Sequence, residues 1–368
     1  MIYDALVIGG GVMGAGTALH LARGGMKVLL LDRKGLGTGA SGVNAGTLSL
    51  QIKRAVLVPY ALRGRERWAA AHRLLGVDVH YRQTGGLTLA FTPEEAAILE
   101  ARMAERKAAG VPLEIIGADR ARAMEPAIGP RALLASYCPI DGYADSTATG
   151  RAYRHALLAA GVTLREGERV AAIEKALEFN VLTSAGAMLR GHRLVLAAGA
   201  WTPRLAQMLG VTFPVIVRVN TVSVTERMPK LIGMTIGHAT GLLTLKQSDN
   251  GTMLIGGGWQ GRGEPEAGET ALIPENLVTN LRLAATAIPR LRESRVVRSW
   301  NGFEAHVPDY LPLAGPVPGV KDAWVLACVR GGYTIGPYIS ELLATQILGG
   351  QPELPLFHPG RFSQAIAA

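Results

Sequence analysis

The stretch VIGGGVMG at residues 7–14 decides the fold of this chain, and LLLD follows it at residues 29–32. Together they predict a strand, a tight glycine turn, a helix, a second strand and a closing acidic residue. Gly9 permits the sharp turn, Gly11 lets the backbone approach a pyrophosphate, and Gly14 lets the helix pack closely on the sheet. The helix start offers N–H groups to phosphate, and the acidic residue offers a carboxylate to ribose hydroxyls. The sequence therefore predicts a dinucleotide-binding domain.

Three further segments indicate which dinucleotide binds. GTGASGVNAG at residues 37–46 is a second run of small residues, which suits a long cofactor beneath the backbone. LVLAAGAW at 194–201 is an apolar strand that ends in a small-residue turn, and CVRGGYTIGP at 328–337 is a glycine turn that enters a helix. With the N-terminal motif, these segments resemble the FAD-dependent family that oxidises amines and amino acids, including glycine oxidase, sarcosine oxidase and D-amino acid dehydrogenases. The resemblance spans essentially the whole chain.

The resemblance implies an α/β fold: a Rossmann-like FAD-binding domain with an inserted α+β substrate domain built on an antiparallel sheet. Composition agrees, because 368 residues exceed one ordinary domain and a chain that is 48% hydrophobic can bury a large core. Changes of periodicity along the chain divide it further. We predict the FAD-binding domain over 1–80, 141–212 and 298–368, and the substrate domain over 81–140 and 213–297.

Local signals predict several individual elements. Pro93 starts a helical pattern that runs to about residue 109, since proline is favoured in the first turn of a helix. Asp145 or Ser146 can cap a helix that runs to about residue 160. Asp249–Gly251 has the composition of a hairpin turn between antiparallel strands.

Charge and cysteine content limit the classes of function. The net charge is +9, but the 38 Lys and Arg residues are scattered, which suits small carboxylates or an acidic protein partner better than nucleic acid. The two cysteines, Cys138 and Cys328, lie far apart and offer neither a redox pair nor a metal cluster. No metal site, signal peptide or transmembrane segment is predicted. We expect a reduced, cytoplasmic protein.

Residue by residue, the resemblance implies FAD that is bound without a covalent link. Monomeric sarcosine oxidases attach flavin through a cysteine at the position aligned with Gly302. Heteromeric sarcosine oxidases attach FMN through a histidine at the position aligned with Ala144, so both nucleophiles are missing here. The residues implied in FAD binding are Gly9, Gly11, Val12, Met13, Gly14, Asp32, Arg33, Ser41, Gly42, Asn44, Ala45, Gly46, Thr47, Val170, Ala198, Gly199, Trp201, Gly302, Gly331, Gly332, Tyr333 and Thr334.

The reaction implied by the resemblance is hydride transfer to flavin from a carbon next to nitrogen, after which the imine hydrolyses. The chain must hold the reacting carbon roughly 3 to 3.5 Å from its target and stabilise negative charge on the flavin ring. N–H groups in the turn Gly331–Thr334 suit that second task, because the start of a helix favours anions. The alternative is an ordinary helix start that Thr334 caps.

The segment at residues 300–316 resembles the stretch that lines the substrate side of the flavin, with one reversal of charge. Glycine oxidases carry an arginine that binds the substrate carboxylate at the position aligned with Glu304. Three interpretations follow: another cation binds the carboxylate, Glu304 faces a substrate amine, or Glu304 forms a structural salt bridge. The candidate cations are Arg218, Arg262 and Arg330.

His306 and Tyr333 complete the candidate catalytic residues, with Glu304. A histidine at this place can serve as a base, and oxidation of a 2-hydroxy acid on the same fold would need one. A packing role is the alternative for His306.

The electron acceptor is a separate question. Monomeric sarcosine oxidase has a lysine over the flavin that helps oxygen react, from the strands aligned with Gly251–Gly263, where this chain has none; Lys246 is the nearest in sequence. The sequence at residues 40–48 and the presence of Glu304 are most similar to the β subunits of heteromeric opine, D-hydroxyproline and proline dehydrogenases. Those subunits work beside a larger redox subunit. The alternatives are a single-chain oxidase that uses oxygen and a non-catalytic FAD-holding subunit.

Overall fold

A computed structural model describes residues 1–327 and 330–362, and most of its strands form two eight-stranded sheets. Cys328, cited above for its spacing, lies outside the described residues. The first sheet is built from β1 (Ile2–Ile8), β2 (Val28–Asp32), β9 (Thr163–Glu166), β10 (Val170–Lys175), β11 (Phe179–Thr183), β12 (Met188–Leu196), β20 (Leu313–Pro316) and β21 (Ala323–Ala327).

The centre of the first sheet is parallel, in the order β9-β2-β1-β12-β21. Val7 of β1 lies opposite Leu30 of β2 and Val195 of β12, and all three side chains are fully buried. Parallel strands covered on both faces need continuous apolar runs, which explains the sequences of these strands. Their carboxyl ends meet at one edge, where open α/β sheets bind ligands.

The helices cover these strands or connect the two sheets. Asp145 caps the predicted helix, since Oδ1 accepts hydrogen bonds from the N–H groups of Thr147 (2.8 Å) and Ala148 (3.0 Å). The helix predicted from Pro93 is also confirmed, with Thr92 as its cap. The α-helices are α1 (Val12–Arg23), α2 (Ala40–Val43), α3 (Val58–Ala69), α4 (Ala71–Leu75), α5 (Pro93–Ala108), α6 (Ala118–Met124), α7 (Ser146–Ala159), α8 (Thr202–Gln207), α9 (Pro274–Ala287) and α10 (Gly332–Ile347).

The second sheet is antiparallel except where β14 pairs with β5. The predicted turn Asp249–Gly251 joins two of its strands, as expected. In order across the sheet, its strands are β19 (Val296–His306), β13 (Ile216–Arg227), β16 (Thr252–Gly256), β15 (Thr244–Gln247), β14 (Thr235–His238), β5 (Gly86–Ala90), β7 (Leu134–Cys138) and β6 (Glu114–Gly117). The remaining strands form two small sheets. One has the order β3 (Thr47–Leu48), β8 (Gly142–Tyr143), β4 (Arg82–Gln83), and the other is the hairpin of β17 (Arg262–Gly263) and β18 (Thr270–Ala271).

The α/β class and the antiparallel second sheet agree with the prediction, but one predicted boundary needs correction. The last segment of the FAD-binding domain was placed at 298–368, and residue 298 falls inside β19. That strand pairs with β13 from Val296 to His306, so it belongs to the second sheet. The first sheet resumes only at β20. Pairing partners eighty residues apart are invisible to local periodicity, which explains the displacement.

Among the helices of the described ranges, none combines the length and the apolar character needed to cross a bilayer.

Candidate functional site

An elongated cavity of about 490 Å³ follows the carboxyl edge of the parallel strands and continues onto β13 and β19. This volume lies within the range of small-molecule and cofactor sites. Asp32 and Trp201 line one end, and Asn220 and Glu304 line the other. The cavity therefore connects the glycine motif of the first sheet with the inner end of the second.

The glycine turn after β1 has room for backbone only. A Cβ on Gly9, whose φ is +112°, would lie 2.3 Å from the carbonyl oxygen of Ala197. A Cβ on Gly14 would lie 1.9 Å from the carbonyl oxygen of Gly9, so the predicted close packing is confirmed. The Cβ position of Gly11 meets only Ser41 Oγ, at 3.1 Å, and Gly11 lines the cavity. The start of α1 is thus open to a phosphate.

Asp32 organises the loop that follows β2. Its Oδ2 accepts from the N–H of Gly10 (2.7 Å), and Oδ1 accepts from those of Lys34 (2.8 Å) and Gly35 (2.9 Å). A carboxylate has about four acceptor positions, so acceptor capacity remains for a ribose hydroxyl. The sequence did not indicate this second, structural role of Asp32.

The end of the cavity near Asp32 fits an adenosine group. The guanidinium of Arg33 lies 3.7 Å from the ring centroid of Trp201. Nearby on the wall, Glu168 Oε2 is buried and has no hydrogen-bond partner among the residues the structure describes. A buried acceptor without a donor is costly, and a hydroxyl or amino group of a bound nucleotide would satisfy it.

Most residues that the sequence predicted for the cofactor lie on the cavity wall, and six lie behind it. Those behind it shape the backbone: a Cβ on Gly42 would meet the carbonyl oxygen of Gly37 at 1.9 Å, and one on Gly46 would meet that of Ala144 at 2.1 Å. The residues on the wall are Gly9, Gly11, Val12, Met13, Asp32, Arg33, Ser41, Asn44, Val170, Ala198, Gly199, Trp201, Gly302, Gly331, Gly332 and Tyr333. The others are Gly14, Gly42, Ala45, Gly46, Thr47 and Thr334, and α10 has no side-chain cap from Thr334.

Glu304 is engaged by neutral hydrogen-bond donors. Asn220 donates through Nδ2 to Oε2 (2.5 Å), and the N–H of Gly331 donates to Oε1 (3.0 Å). Of the three interpretations of Glu304, the structural salt bridge has no support here, because within the described ranges no Lys, Arg or His lies close enough to pair with this carboxylate. One N–H of the turn expected to face the flavin is also used by Glu304.

Lys53 is a site residue that the sequence did not reveal. Its Nζ donates to the carbonyl oxygen of Gly331 (2.7 Å), and the side chain is buried. Burial lowers the pKa of Lys53 to about 8, and Glu304 and Asp141 partly oppose that shift. Lys53 and Glu304 together hold both polar backbone groups of Gly331. A single lysine in a loop after β3 belongs to no motif, so only the tertiary structure identifies it.

His306 and Tyr333 both make packing contacts, and of the two Tyr333 lines the cavity. His306 is buried behind the wall, its ring stacked on Tyr310 with centroids 4.7 Å apart. Burial lowers its pKa, and Arg218 and Arg330 lower it further. The hydroxyl of Tyr333 is hydrogen-bonded to Thr149 Oγ1 (2.7 Å). The catalytic roles of His306 and Tyr333 stay predictions, and both side chains also make packing contacts.

Tyr333 is held in place by a second contact as well. Its ring packs on Trp68, with centroids 4.5 Å apart, and Trp68 Nε1 donates to the carbonyl oxygen of Tyr333 (2.9 Å). The side chain therefore anchors the start of α10 to α3.

The candidate cations differ in position. Arg218 lies directly opposite Glu304 in the pairing of β13 with β19, so the two side chains share a face of the sheet. Arg330 immediately precedes Gly331, and its guanidinium lies 5.1 Å from the ring centroid of Tyr310. Arg262 is exposed in the β17–β18 hairpin. Arg218 and Arg330 are thus the two cations near the inner end of the cavity.

Lys246 lies beside the cofactor segment and not on the wall. On β15 it pairs with Leu254 of β16, and its Nζ lies 2.7 Å from the position a Cβ on Gly46 would take. The Nζ is also 4.6 Å from the ring centroid of Tyr143. Burial lowers the pKa of Lys246 to about 7. Among the described residues, the lysine that does line the cavity is Lys34, at the adenosine end.

The described part of the chain brings together no group of three His, Cys, Asp or Glu residues able to hold a metal ion.

Comparison with known proteins agrees with the geometry. The sequence profile of a family described as "DAO: FAD dependent oxidoreductase" matches residues 4–346. A subunit of opine oxidase from Rhizobium meliloti is 29% identical, and the match covers 98% of this chain and 97% of that protein. Glycine oxidase from Geobacillus kaustophilus is 29% identical, with 93% of this chain and 92% of that protein covered.

The fold is also shared with solved structures. The crystal structure of that glycine oxidase matches with a TM-score of 0.86 and 26% identity, covering 96% of this chain and 97% of that chain. L-proline dehydrogenase from P. horikoshii matches with a TM-score of 0.90 over 99% of this chain and 98% of that one, at 24% identity, which concerns the fold alone. The resemblance inferred from the sequence is confirmed, and FAD is the cofactor of the matched family.

Asp32 generates the first prediction. Asp32→Ala should weaken FAD binding by about 1.5–3 kcal/mol, the range for hydrogen bonds to a charged group. Equilibrium titration of apoprotein with FAD measures the change. Asp4→Ala is the matched control, because Asp4 also accepts from a backbone N–H, that of Lys27, but at the opposite end of β1. Unchanged affinity in Asp32→Ala would contradict the assignment.

Lys246 generates a prediction about pH. Its folded-state pKa is about 7 and an unfolded lysine has one of about 10.4, so the unfolded chain binds more protons between these values and stability rises with pH there. Below pH 7 the charged side chain carries the full burial penalty. Lys246→Met removes it, so the gain in unfolding free energy should be about 1–3 kcal/mol larger at pH 6 than at pH 9. Urea unfolding at both pH values, with the exposed Lys321→Met as control, tests this, and a pH-independent difference would refute it.

Proposed function

We propose that this chain, which belongs to the DAO family of FAD-dependent oxidoreductases, oxidises the C–N bond of a small amino or imino acid. The observation that carries the proposal is the continuous cavity, which is lined by the glycine turn and Asp32 of the first sheet and by residues of β13, β19 and α10. FAD, when bound, supplies the hydride acceptor. The chain supplies position, charge and shelter from water.

The start of α10 has a defined task in this reaction. Lys53 and Glu304 fix Gly331 in the left-handed conformation, with φ +63°, so that the following N–H groups of α10 face the cavity in one orientation. N–H groups held in advance stabilise developing negative charge without reorganising at the moment of reaction. The positive end of the helix adds to that stabilisation.

The position of His306 favours an amine substrate. A neutral amine can release hydride with help from its own lone pair, whereas a 2-hydroxy acid must also lose its hydroxyl proton. His306 is the base that sequence analysis offered for the second reaction, and it lies behind the wall, stacked on Tyr310. Oxidation of 2-hydroxy acids is therefore the weaker alternative.

Arg218 is our candidate for the cation that binds the substrate carboxylate. It shares a sheet face with Glu304, which lines the cavity, and Arg330 adds positive charge from the adjoining turn. Glu304, held by Asn220, then faces the substrate amine from beside Arg218. A guanidinium binds a carboxylate through two parallel hydrogen bonds, which also fixes the direction of the substrate.

We propose that FAD is bound without a covalent link. A Cβ on Gly302 would lie 2.3 Å from Val43 Cγ2, so the position aligned with the flavin-linking cysteine has no space for a side chain. Ala144, at the other aligned position, is fully buried behind the cofactor segment. Neither position offers a nucleophile.

The working unit is proposed to include a larger redox subunit in the cytoplasm. Support comes from the opine oxidase relative, whose name marks it as one subunit of an enzyme and which matches over nearly its full length. Two large apolar side chains within three residues of Lys53, Ile52 and Val56, are exposed at 53% and 48%, as an interface would require. A single-chain oxidase and a non-catalytic FAD-holding subunit are the alternatives.

Anaerobic reduction of the flavin tests the proposed reaction. Loss of flavin absorbance is measured with D- and L-amino acids, N-methyl amino acids, opines and 2-hydroxy acids. At least one amine should reduce the flavin, and Arg218→Ala should raise the dissociation constant of that amine by about 10-fold or more while changing the limiting rate less. Arg262→Ala is the matched control. Reduction by hydroxy acids alone, or by nothing, would defeat the proposal.

Reaction with oxygen tests the electron acceptor. The reduced protein should reoxidise slowly in air-saturated buffer, because no lysine of the described residues lines the inner end of the cavity to stabilise superoxide. Stopped-flow mixing of reduced protein with oxygen measures the rate, and an artificial acceptor provides the comparison. Reoxidation as fast as reduction by substrate, with stoichiometric peroxide, would identify a single-chain oxidase.

A further inference from the structure

We infer that the β17–β18 hairpin, residues 262–271, belongs to the nucleotide-binding site and closes over the adenosine half of bound FAD. This role concerns retention of the cofactor, and it is independent of which substrate the enzyme oxidises. The hairpin was not among the segments that sequence analysis assigned to the cofactor.

The hairpin has a defined internal structure. Arg262 pairs with Ala271 and Gly263 pairs with Thr270 in antiparallel register. Gly263 has φ +150°, and a Cβ there would lie 2.4 Å from the carbonyl oxygen of Glu269, so the two arms approach more closely than a side chain would allow. The residues at the tip therefore have fixed positions relative to the arms.

The hairpin begins on one sheet and covers a cavity that belongs to the other. At its root, the N–H of Gly261 donates to the carbonyl oxygen of Val219 on β13 (2.7 Å). Glu266 and Gly268 at its tip and Thr270 on its second arm line the same cavity as Asp32. A hairpin attached to the second sheet thus covers the carboxyl edge of the first sheet.

Two contacts attach the tip to the segment that follows β12. Trp201 Nε1 donates to the carbonyl oxygen of Pro265 (2.8 Å), and Arg204 Nη1 pairs with Glu266 Oε2 (2.5 Å). Trp201 also carries the guanidinium of Arg33 on its ring. One tryptophan therefore connects the hairpin with the loop after β2, which surrounds the expected adenosine.

The ligand chemistry that fits this enclosure is the adenosine diphosphate half of the cofactor. The wall presents Glu168 and Glu266 as acceptors for ribose hydroxyls or the adenine amino group, and Arg33 as a cation for phosphate. A nucleotide enclosed in this way must wait for the Trp201 and Arg204 contacts to open before it leaves. The contacts should therefore control the rate at which FAD is released.

Release of FAD from the holoprotein tests the inference without any measurement of activity. Trp201→Phe keeps a ring beneath Arg33 but loses the Nε1 donor, and it should accelerate the rise of flavin fluorescence after dilution by about 3–10-fold. The Arg204–Glu266 pair is exposed at 42% and 51%, so Glu266→Ala should accelerate release by only about 2–5-fold. Glu114→Ala, which breaks the exposed pair with Arg120 elsewhere, should leave the rate unchanged.

Proteolysis distinguishes a nucleotide contact from a general stabilisation of the fold. Trypsin cleavage after Arg262 in the apoprotein should slow on addition of ADP or FAD, whereas FMN alone should not protect that bond. If Trp201→Phe proves unstable, the comparison of ADP with FMN on the unaltered protein still decides the matter. Protection by FMN but not by ADP, or no protection by either, would overturn the inference. So would release rates for Trp201→Phe and Glu266→Ala that equal the rate of the unaltered protein.

Discussion

The contact between the glycine turn and the end of β12 is the constraint on which the site depends. Gly9 lies so close to the carbonyl of Ala197 that any side chain would force the strands apart. The same turn is fixed by the N–H of Gly9 donating to Leu31 (2.8 Å) and that of Ala197 donating to Ile8 (2.8 Å). Three strand ends are thereby locked together. Trp201 lies in the short segment that follows β12, so displacement of β12 would also displace the residue that binds the hairpin.

Three charged side chains are buried behind the cavity wall. Lys53, Lys246 and Asp141 are all buried, and burial moves the pKa of each toward its neutral form. Asp141 keeps three partners, Ser49 Oγ (2.6 Å), the N–H of Leu50 (2.8 Å) and Gln51 Nε2 (3.0 Å), and so fixes the loop that carries Lys53. Burying such groups costs stability, and proteins tolerate that cost mainly where position matters for function.

Sequence reasoning succeeded where one short segment contains its own physical cause. The turn at Gly9, the cap at Asp145 and the helix start at Pro93 each depend on residues within a few positions, and each is present. Sequence reasoning failed where the interacting residues lie far apart in the chain. Glu304 meets Asn220 across two strands, and Lys53 meets Gly331 from a loop with no motif.

Long-range pairing explains the other differences between sequence and structure. The strand β19 was assigned to the wrong sheet because its partner β13 lies eighty residues earlier, and neither strand's own alternation identifies the sheet it joins. Tyr333 shows the same limit within a correctly located turn. Its position at the start of α10 suggested a catalytic role. Only the contacts with Trp68 and Thr149 show that its side chain also packs against other helices. Main-chain geometry near a motif is thus more predictable than the direction of a side chain.

The arrangement of charge at the inner end of the cavity is explained if the cofactor, and not a protein side chain, accepts the hydride. If hydride transfer needs no protein base, Arg218 and Glu304 are the titratable side chains that need to touch the substrate, and the others can act through the field that they create. Lys53, Arg218 and Arg330 contribute positive charge there, and Glu304 and Asp141 oppose it. That balance attracts a carboxylate and favours the extra negative charge of a reduced ring. Lys53 exerts this effect from behind the wall, where it holds the carbonyl oxygen of Gly331, whereas Glu304 lies on the wall itself.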